Sequence, residues 1–266
     1  MKKLLISSVF ALAVFSFSCT NDAEPNGPGT LTFHFDNIVG DADLQLNTTN
    51  TPYVNSKGEA FKLTRVKYYV SNIKVKTKDG TVYSDPVKSD GTAGYYLIDE
   101  ANLESQEFVL ENVPAGEYTE VTFTVGGDTN VIDMGITTGP LAIANGLFWD
   151  WAFGYIFVSV EGVSPVSTQP GNIFQYHIGG YTAEAGSATQ ANNIKTITLS
   201  FNGETAPVKV DHEPEVHLYF DVKKIFNGTG SSVSFATNAI RDTPKAGADI
   251  AGNITAAFSV NHVHAN

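Results

Sequence analysis

Apolar and polar residues alternate with a period of two along most of this chain, the mark of strands with one buried face. Leu31, Phe33 and Phe35 alternate with Thr32 and His34. Segments from Phe61 to Val70 and Asn72 to Thr77 follow, and Lys78-Asp79-Gly80-Thr81 predicts a two-residue hairpin turn before Val82 and Tyr83. Tyr95–Ile98, Phe108–Leu110 and Glu117–Val125 continue the pattern, with Pro114-Ala115-Gly116 as a turn. Later strands are expected at Phe174–Ile178, Lys195–Phe201, Pro207–Val210, Val216–Val222, Ser231–Phe235 and Ala256–His264. No segment holds a helical period over three turns, although Ala246–Ala251 fits a short helical turn. The fold class expected is all-β: one antiparallel β-sandwich domain with long irregular loops, over residues 30–266.

The regularity breaks between Gly126 and Ala144, which reads as a long loop of the kind that often carries function. That loop delivers the chain to Asn145–Gly162, which holds both tryptophans. If Trp149–Phe153 is extended, Trp149, Trp151 and Phe153 share one face, and Phe148, Asp150 and Ala152 share the other. Tyr155–Val160 is aromatic and β-branched throughout, as expected of a strand covered on both faces. Core packing is the ordinary fate of such indoles.

The amino terminus changes the setting. Lys2 and Lys3 precede an apolar run from Leu4 to Phe17, and its 14 residues are fewer than the roughly 20 needed to span a bilayer as a helix. Residues 1–18 are therefore expected to be a lipoprotein signal peptide, with Cys19, the only cysteine, as the lipidation site. Residues 19–29 form a Pro/Gly tether. The expected location is the periplasm or cell surface, lipid-anchored to a bacterial membrane. A lipidated Cys19 leaves no thiol for disulfides, metal ligation or nucleophilic catalysis. Removing Lys2 and Lys3 from 16 basic residues leaves 14 against 28 acidic ones, so the mature chain carries about −14 and is no nucleic-acid binder.

Six histidines remain as strong ligands beside the carboxylates, with Met134 a weak thioether option. His262 and His264 form an H-x-H pair on a strand whose face is set by Ala256, Phe258 and Val260, so both rings are expected on the apolar side. Rings so placed need a metal or a carboxylate to offset their burial; a frayed terminal strand in water is the simpler account. His177 points away from Phe174, Tyr176 and Ile178, and Gly179-Gly180 after it permit close backbone approach. His217 opposes the apolar Val216, Leu218, Phe220 and Val222, so it is expected in solvent. His34 likewise opposes Phe33 and Phe35, and His212 falls in a turn. Asp41, Asp43 and Asp128 occupy loops, at spacings that match no calcium loop. No G-x-S-x-G, H-E-x-x-H or phosphate-cradling glycine loop is present, so the chain is not read as an enzyme.

Several motifs resemble the MbnP-like family, the methanobactin-operon-associated periplasmic copper-binding proteins and their lipoprotein relatives. They are Phe35-Asp36-Asn37-Ile38-Val39-Gly40, Val66-Lys67-Tyr68-Tyr69-Val70-Ser71-Asn72-Ile73, Tyr96-Leu97-Ile98-Asp99 and Pro114-Ala115-Gly116-Glu117-Tyr118. Phe123-Thr124-Val125-Gly126, Phe148-Trp149-Asp150-Trp151 with Gly154-Tyr155, and Tyr176-His177-Ile178-Gly179-Gly180 complete the set. The W-x-W and G-Y pair joined to a later H-[IL]-G is its most specific part.

The resemblance implies a secreted copper-binding β-sandwich in which one tryptophan near the metal is oxidised to kynurenine by a partner dihaem enzyme of the cytochrome c peroxidase type. Carried over, His177 matches the histidine of H-[IL]-G, and Trp149 and Trp151 match the two tryptophans. His262 and His264 resemble the ending of lipoprotein relatives. Many members of the family this chain resembles have histidine where it has Asn37, so a copper site relying on that position would be incomplete here; His34 is nearby, but alternation puts it on the face opposite Phe35. The combined expectation is copper held by two or three imidazoles, drawn from His177, His262, His264 and His217, in one pocket walled by an indole. A rival expectation is a surface lipoprotein that binds a polymer or protein through an exposed platform of Trp149, Trp151 and Tyr155. A third is a family scaffold without its metal. Burial of the indoles near His177 favours the metal, and indoles lined up in water favour the platform.

Overall fold

The computed structural model describes residues 27–49, 53–127, 131, 135–136, 138–150, 153–182, 186–228 and 232–265. The expected signal peptide, Cys19 and most of the tether, with Asp128, Met134 and Trp151, lie outside these residues. No described helix is long and apolar enough to cross a membrane.

The chain runs through β1 (Gly29–Val39), β2 (Ala42–Asp43), β3 (Tyr53–Val54), β4 (Ala60–Thr77), β5 (Val82–Ser84) and β6 (Tyr95–Asp99). It continues with β7 (Glu107–Val113), β8 (Gly116–Val125), β9 (Phe148–Asp150), β10 (Gly154–Val163), β11 (Ile173–Gly179), β12 (Lys195–Ser200) and β13 (Ala206–Val208). β14 (Glu215–Asp221), α1 (Val222–Phe226), β15 (Ile240–Arg241), α2 (Pro244–Ala251), α3 (Ile254–Ala257) and β16 (Phe258–His264) complete it.

Two sheets face each other, an all-β sandwich. The first has the order β16-β14-β1-β2, with β7 also along β1. The second has the order β12-β8-β4-β10-β11-β15, with shorter strands added to β4, β8 and β10. Most pairs are antiparallel as expected, but β1 pairs with β14, and β11 with β15, in parallel. Aromatic rings close the space between the sheets: Phe35 of β1 meets Tyr68 of β4 at 6.2 Å and Phe123 of β8 at 5.9 Å, and Tyr68 meets Phe220 of β14 at 4.5 Å. A second aromatic group of Phe61, Phe174, Phe226 and Phe235 fills the far end, where α1 and the Phe235 segment cover the core. Such edge-to-face and offset contacts add directional packing to the burial of large apolar surface.

Several expected elements are redrawn. The two segments around Ser71 are one strand, β4, with a bulge where Asn72 takes a left-handed φ of 52° and pairing slips between Ser71 and Lys74. The β4–β5 turn closes with Thr77 N–H donating to Thr81 O, so three residues span it, with Gly80 at φ 93°. Residues 233–235 are not a strand: Val233 and Phe235 are buried in irregular chain. Ala256 lies in α3 and is exposed, so it does not set the face of β16. Beside the short helical turn expected near Ala246, α1 and α3 form; α1 is started by Asp221, whose carboxylate accepts from Lys223 N–H at 3.0 Å.

Candidate metal sites

β9 is a three-residue strand that folds back on β10, with Asp150 opposite Gly154 and Phe148 opposite Tyr155. Trp149 and Phe153 therefore do not lie along one extended strand: Phe153 meets the Trp149 ring edge-on at 6.1 Å, and Trp151 lies outside the described residues. Phe148 packs on Tyr155 at 4.9 Å. Tyr155 is buried, and its hydroxyl pins the preceding loop, donating to Leu141 O at 2.7 Å and accepting from Ile136 N–H at 3.0 Å. It is thus unavailable to an exposed aromatic platform.

Trp149 is half-buried against the core. Its Nε1–H donates to Asp242 Oδ1 at 2.8 Å, and His177 Nδ1 lies 2.7 Å from the same oxygen. The two rings sit 6.5 Å apart. Gly179 makes this possible, because a Cβ there would come within 2.9 Å of Trp149 Cζ3 and collide with the Tyr155 carbonyl. That is a physical reason for glycine in the H-I-G sequence. His177, on the outer side of the second sheet, is buried, and its Nε2 meets Glu161 Oε1 at 2.9 Å and Gln175 at 3.1 Å. The bond with His177, helped by the charge of Arg65 3.6 Å away, holds the Glu161 carboxyl below the usual range against the effect of burial. One imidazole thus spans two carboxylates, beside an indole anchored on one of them.

His217, His262 and His264 are brought together elsewhere, on the outer side of the first sheet. Leu218 pairs with Val260 but His217 pairs with His262, so Asn261 is an extra residue without an opposite number. This bulge reverses the phase of β16: Phe258 and Val260 point inward, then Val263 does, opposite buried Val216. The expectation that His262 and His264 lie on the apolar side is corrected accordingly; both face outward with His217. The parallel pairing of β1 and β14 sets His34 beside His217. A row of stacked rings results, His34 to His217 at 4.9 Å and His217 to His262 at 4.4 Å, with His264 edge-on to His262 at 4.5 Å.

Carboxylates hold this row. His217 Nδ1 lies 3.1 Å from Asp36 and its Nε2 3.1 Å from Glu215, while His34 Nε2 lies 3.3 Å from Asp36. The bond with Asp36 raises the His34 pKa above its ordinary value, against burial. Burial works to raise Asp36, yet bonds with His34 and His217 outweigh it and hold that carboxyl low. Two overlapping sets, His217 with His262 and His264, and His34 with Glu215 and His217, each bring ligand atoms within 4.8 Å of one another.

The single indole-walled pocket expected for His177, His217, His262 and His264 is therefore not what forms. His177 alternates with Phe174, Tyr176 and Ile178 on the second sheet, and the other three alternate with core residues of the first, so the two groups occupy opposite outer sides of the sandwich. Asn37 points the other way from His34, into the interior, where its Oδ1 accepts from Tyr68 O–H at 2.9 Å and its Nδ2 donates to Glu100 at 2.9 Å. His34 does not substitute for it. His212 sits in a turn as expected, after Asp211 at φ 63°. The carboxylates Glu161, Asp242, Asp36 and Glu215 were not singled out from the sequence. Strand alternation would have put Glu161 on the face of His177, whereas no local pattern announces Asp242, which follows the two-residue strand β15.

The molecule is thus an all-β sandwich that carries an indole–imidazole–carboxylate group on one side and a row of imidazoles on the other. The MbnP family profile matches residues 28–244, and the chain belongs to the MbnP family. A solved structure, MbnP from Methylosinus trichosporium, superposes with a TM-score of 0.52 at 14% identity, covering 87% of this chain and 98% of that one. At that identity the likeness describes the fold alone. No curated protein matches the chain.

Proposed function

We propose that this protein is a copper-binding protein of the bacterial envelope, tethered through a lipid on Cys19, with His177 as its copper ligand beside Trp149. It works by binding and is not an enzyme. The observation that carries the reading is the convergence of Trp149 Nε1 and His177 Nδ1 on one oxygen of Asp242, at 2.8 and 2.7 Å. Membership of the MbnP family supports it.

The donor set fits the metal. An imidazole with Glu161 and Asp242 at its two nitrogens offers the nitrogen and oxygen ligands that copper accepts. Copper on either ring nitrogen would have the carboxylate beside that nitrogen as an oxygen ligand. Burial of His177 keeps competing water off the ring. Trp149 is the tryptophan proposed to be oxidised to kynurenine, by a dihaem partner of the cytochrome c peroxidase type. Opening the indole would replace its N–H with an aryl amine, a further nitrogen donor near His177.

Copper titration of the full-length chain, produced with and without such a partner, tests the reading. Wild type is expected to bind one copper more than His177→Ala, together with the mass gain of kynurenine on the Trp149 peptide from the partnered sample. A copper stoichiometry unchanged by His177→Ala, or no binding in either sample, would overturn it.

A further inference from the structure

His217, His262 and His264 lie on the other side of the sandwich and play no part in the copper proposal. We propose that they form a second metal site, for an exchangeable divalent late transition ion of the zinc(II) or copper(II) kind. Two of the three residues lie beyond the stretch that the family profile matches.

The case begins with nitrogen geometry. His262 Nε2 and His264 Nε2 are 2.9 Å apart with their rings at 90°. Two imidazoles meeting nitrogen to nitrogen share one proton, and a cation with metal–nitrogen bonds of about 2.0–2.1 Å fits in its place once they part by a few tenths of an ångström. His217 stands beside them, its ring 4.4 Å from that of His262 and 5.2 Å from that of His264. A proton on Nδ1 toward Asp36 fixes the His217 ring, and Nε2, which faces Glu215 at 3.1 Å, becomes its ligand atom by exchanging that contact for the metal, the carboxylate–histidine–metal arrangement common in metal proteins. His217 is the anchored ligand, and His262 and the exposed His264 turn to meet the ion.

The bulge at Asn261 is a second, independent observation. With Asn261 in the chain, regular pairing would turn His262 and His264 to the side away from His217; the bulge takes up that residue and brings all three to one place. A frayed strand end with both rings in water needs no such device.

The chemistry then sets the ion. Three imidazoles without a thiol suit zinc, copper or nickel, whereas calcium and magnesium favour oxygen ligands. A cleft of about 450 Å³ opens at the site, lined by Asp36, Asp41, Asp43 and Asn261 besides the histidines. Its carboxylates, on a chain of net charge −12, concentrate cations at the mouth. Three protein ligands and a fourth position open to that cleft describe an ion that exchanges with solvent, unlike a closed structural site.

Zinc(II) titration of the unmodified full-length chain tests this, read by competition with a chromophoric chelator, because zinc needs neither reduction nor a changed tryptophan. Binding of one zinc is expected in wild type and in His177→Ala. In His262→Ala/His264→Ala affinity should fall by more than about 100-fold, since the outer partners of metal ligands alone are worth about 10–100-fold. The doubly substituted chain should keep the metal-free melting temperature of wild type, as both positions are at the surface. Absence of zinc binding in wild type, equal binding in the double variant, or loss only in His177→Ala would each overturn the proposal. The first two outcomes would leave the copper reading untouched.

Discussion

Asn37 stands where the family resemblance leads one to expect a histidine, and its surroundings account for the amide. It links the buried Tyr68 hydroxyl to Glu100, whose Oε2 also accepts from Gln106 Nε2 at 2.9 Å. Burial pushes the Glu100 carboxyl up to about 7, with the charges of Asp43 and Asp99 adding to the rise and the two amide donors opposing it. The folded chain then keeps a proton that the unfolded chain releases near 4.5. Stability from this group is therefore greatest below pH 4.5, falls as pH rises toward 7, and is flat above. Glu100→Gln keeps an oxygen for both amides and removes the charge. Urea unfolding should find it more stable than wild type at pH 8 by roughly 1–2 kcal/mol, a shift discounted for partial exposure, and equal to it near pH 4.5. A constant difference across that range would show that the Glu100 charge is not what the fold opposes.

Among the elements, β16 shows what a period of two can and cannot convey. Its inward residues Phe258 and Val260 are legible in the sequence, as are β1, β8, β11 and β14, because alternation follows directly from the pleat. The bulge is not legible: one extra residue leaves no mark in the composition of a strand, yet it reverses every side chain beyond it. The hairpin at β9 escaped for a related reason, since aromatic residues favour strands whether the chain runs straight or turns back at Gly154. Parallel neighbours such as β1 and β14 are far apart in the chain, so the meeting of His34 with His217 had no local signal. Deleting Asn261 makes the test direct. The shortened strand should pair without a bulge, with His262 still opposite His217 and Val263 still opposite Val216, so zinc binding and stability should both stay close to wild type. Loss of zinc binding in the deletion would mean that those rings do not take their direction from this register.

At the scale of the whole molecule, the two histidine groups share no strand and no ligand. One draws on β9, β10, β11 and the segment holding Asp242, the other on β1, β14 and β16. Between them lie two sheets whose facing residues, among them Phe35, Tyr68, Phe123 and Phe220, are almost fully buried. The spacing of packed sheets is alone about 10 Å, and sites on the outer sides are farther apart than that. Sites separated beyond about 7–10 Å without shared partners usually act additively, to within about 0.5 kcal/mol. Copper at His177 should thus leave zinc affinity at His217, His262 and His264 within about 2-fold, and by linkage zinc should leave copper affinity within the same factor. Each ion binds the folded chain, so each should raise the melting temperature, and the two increments should add. A change of tenfold or more in either affinity would mean that the core between the sheets has two arrangements, which its close packing of aromatic rings from both sides opposes.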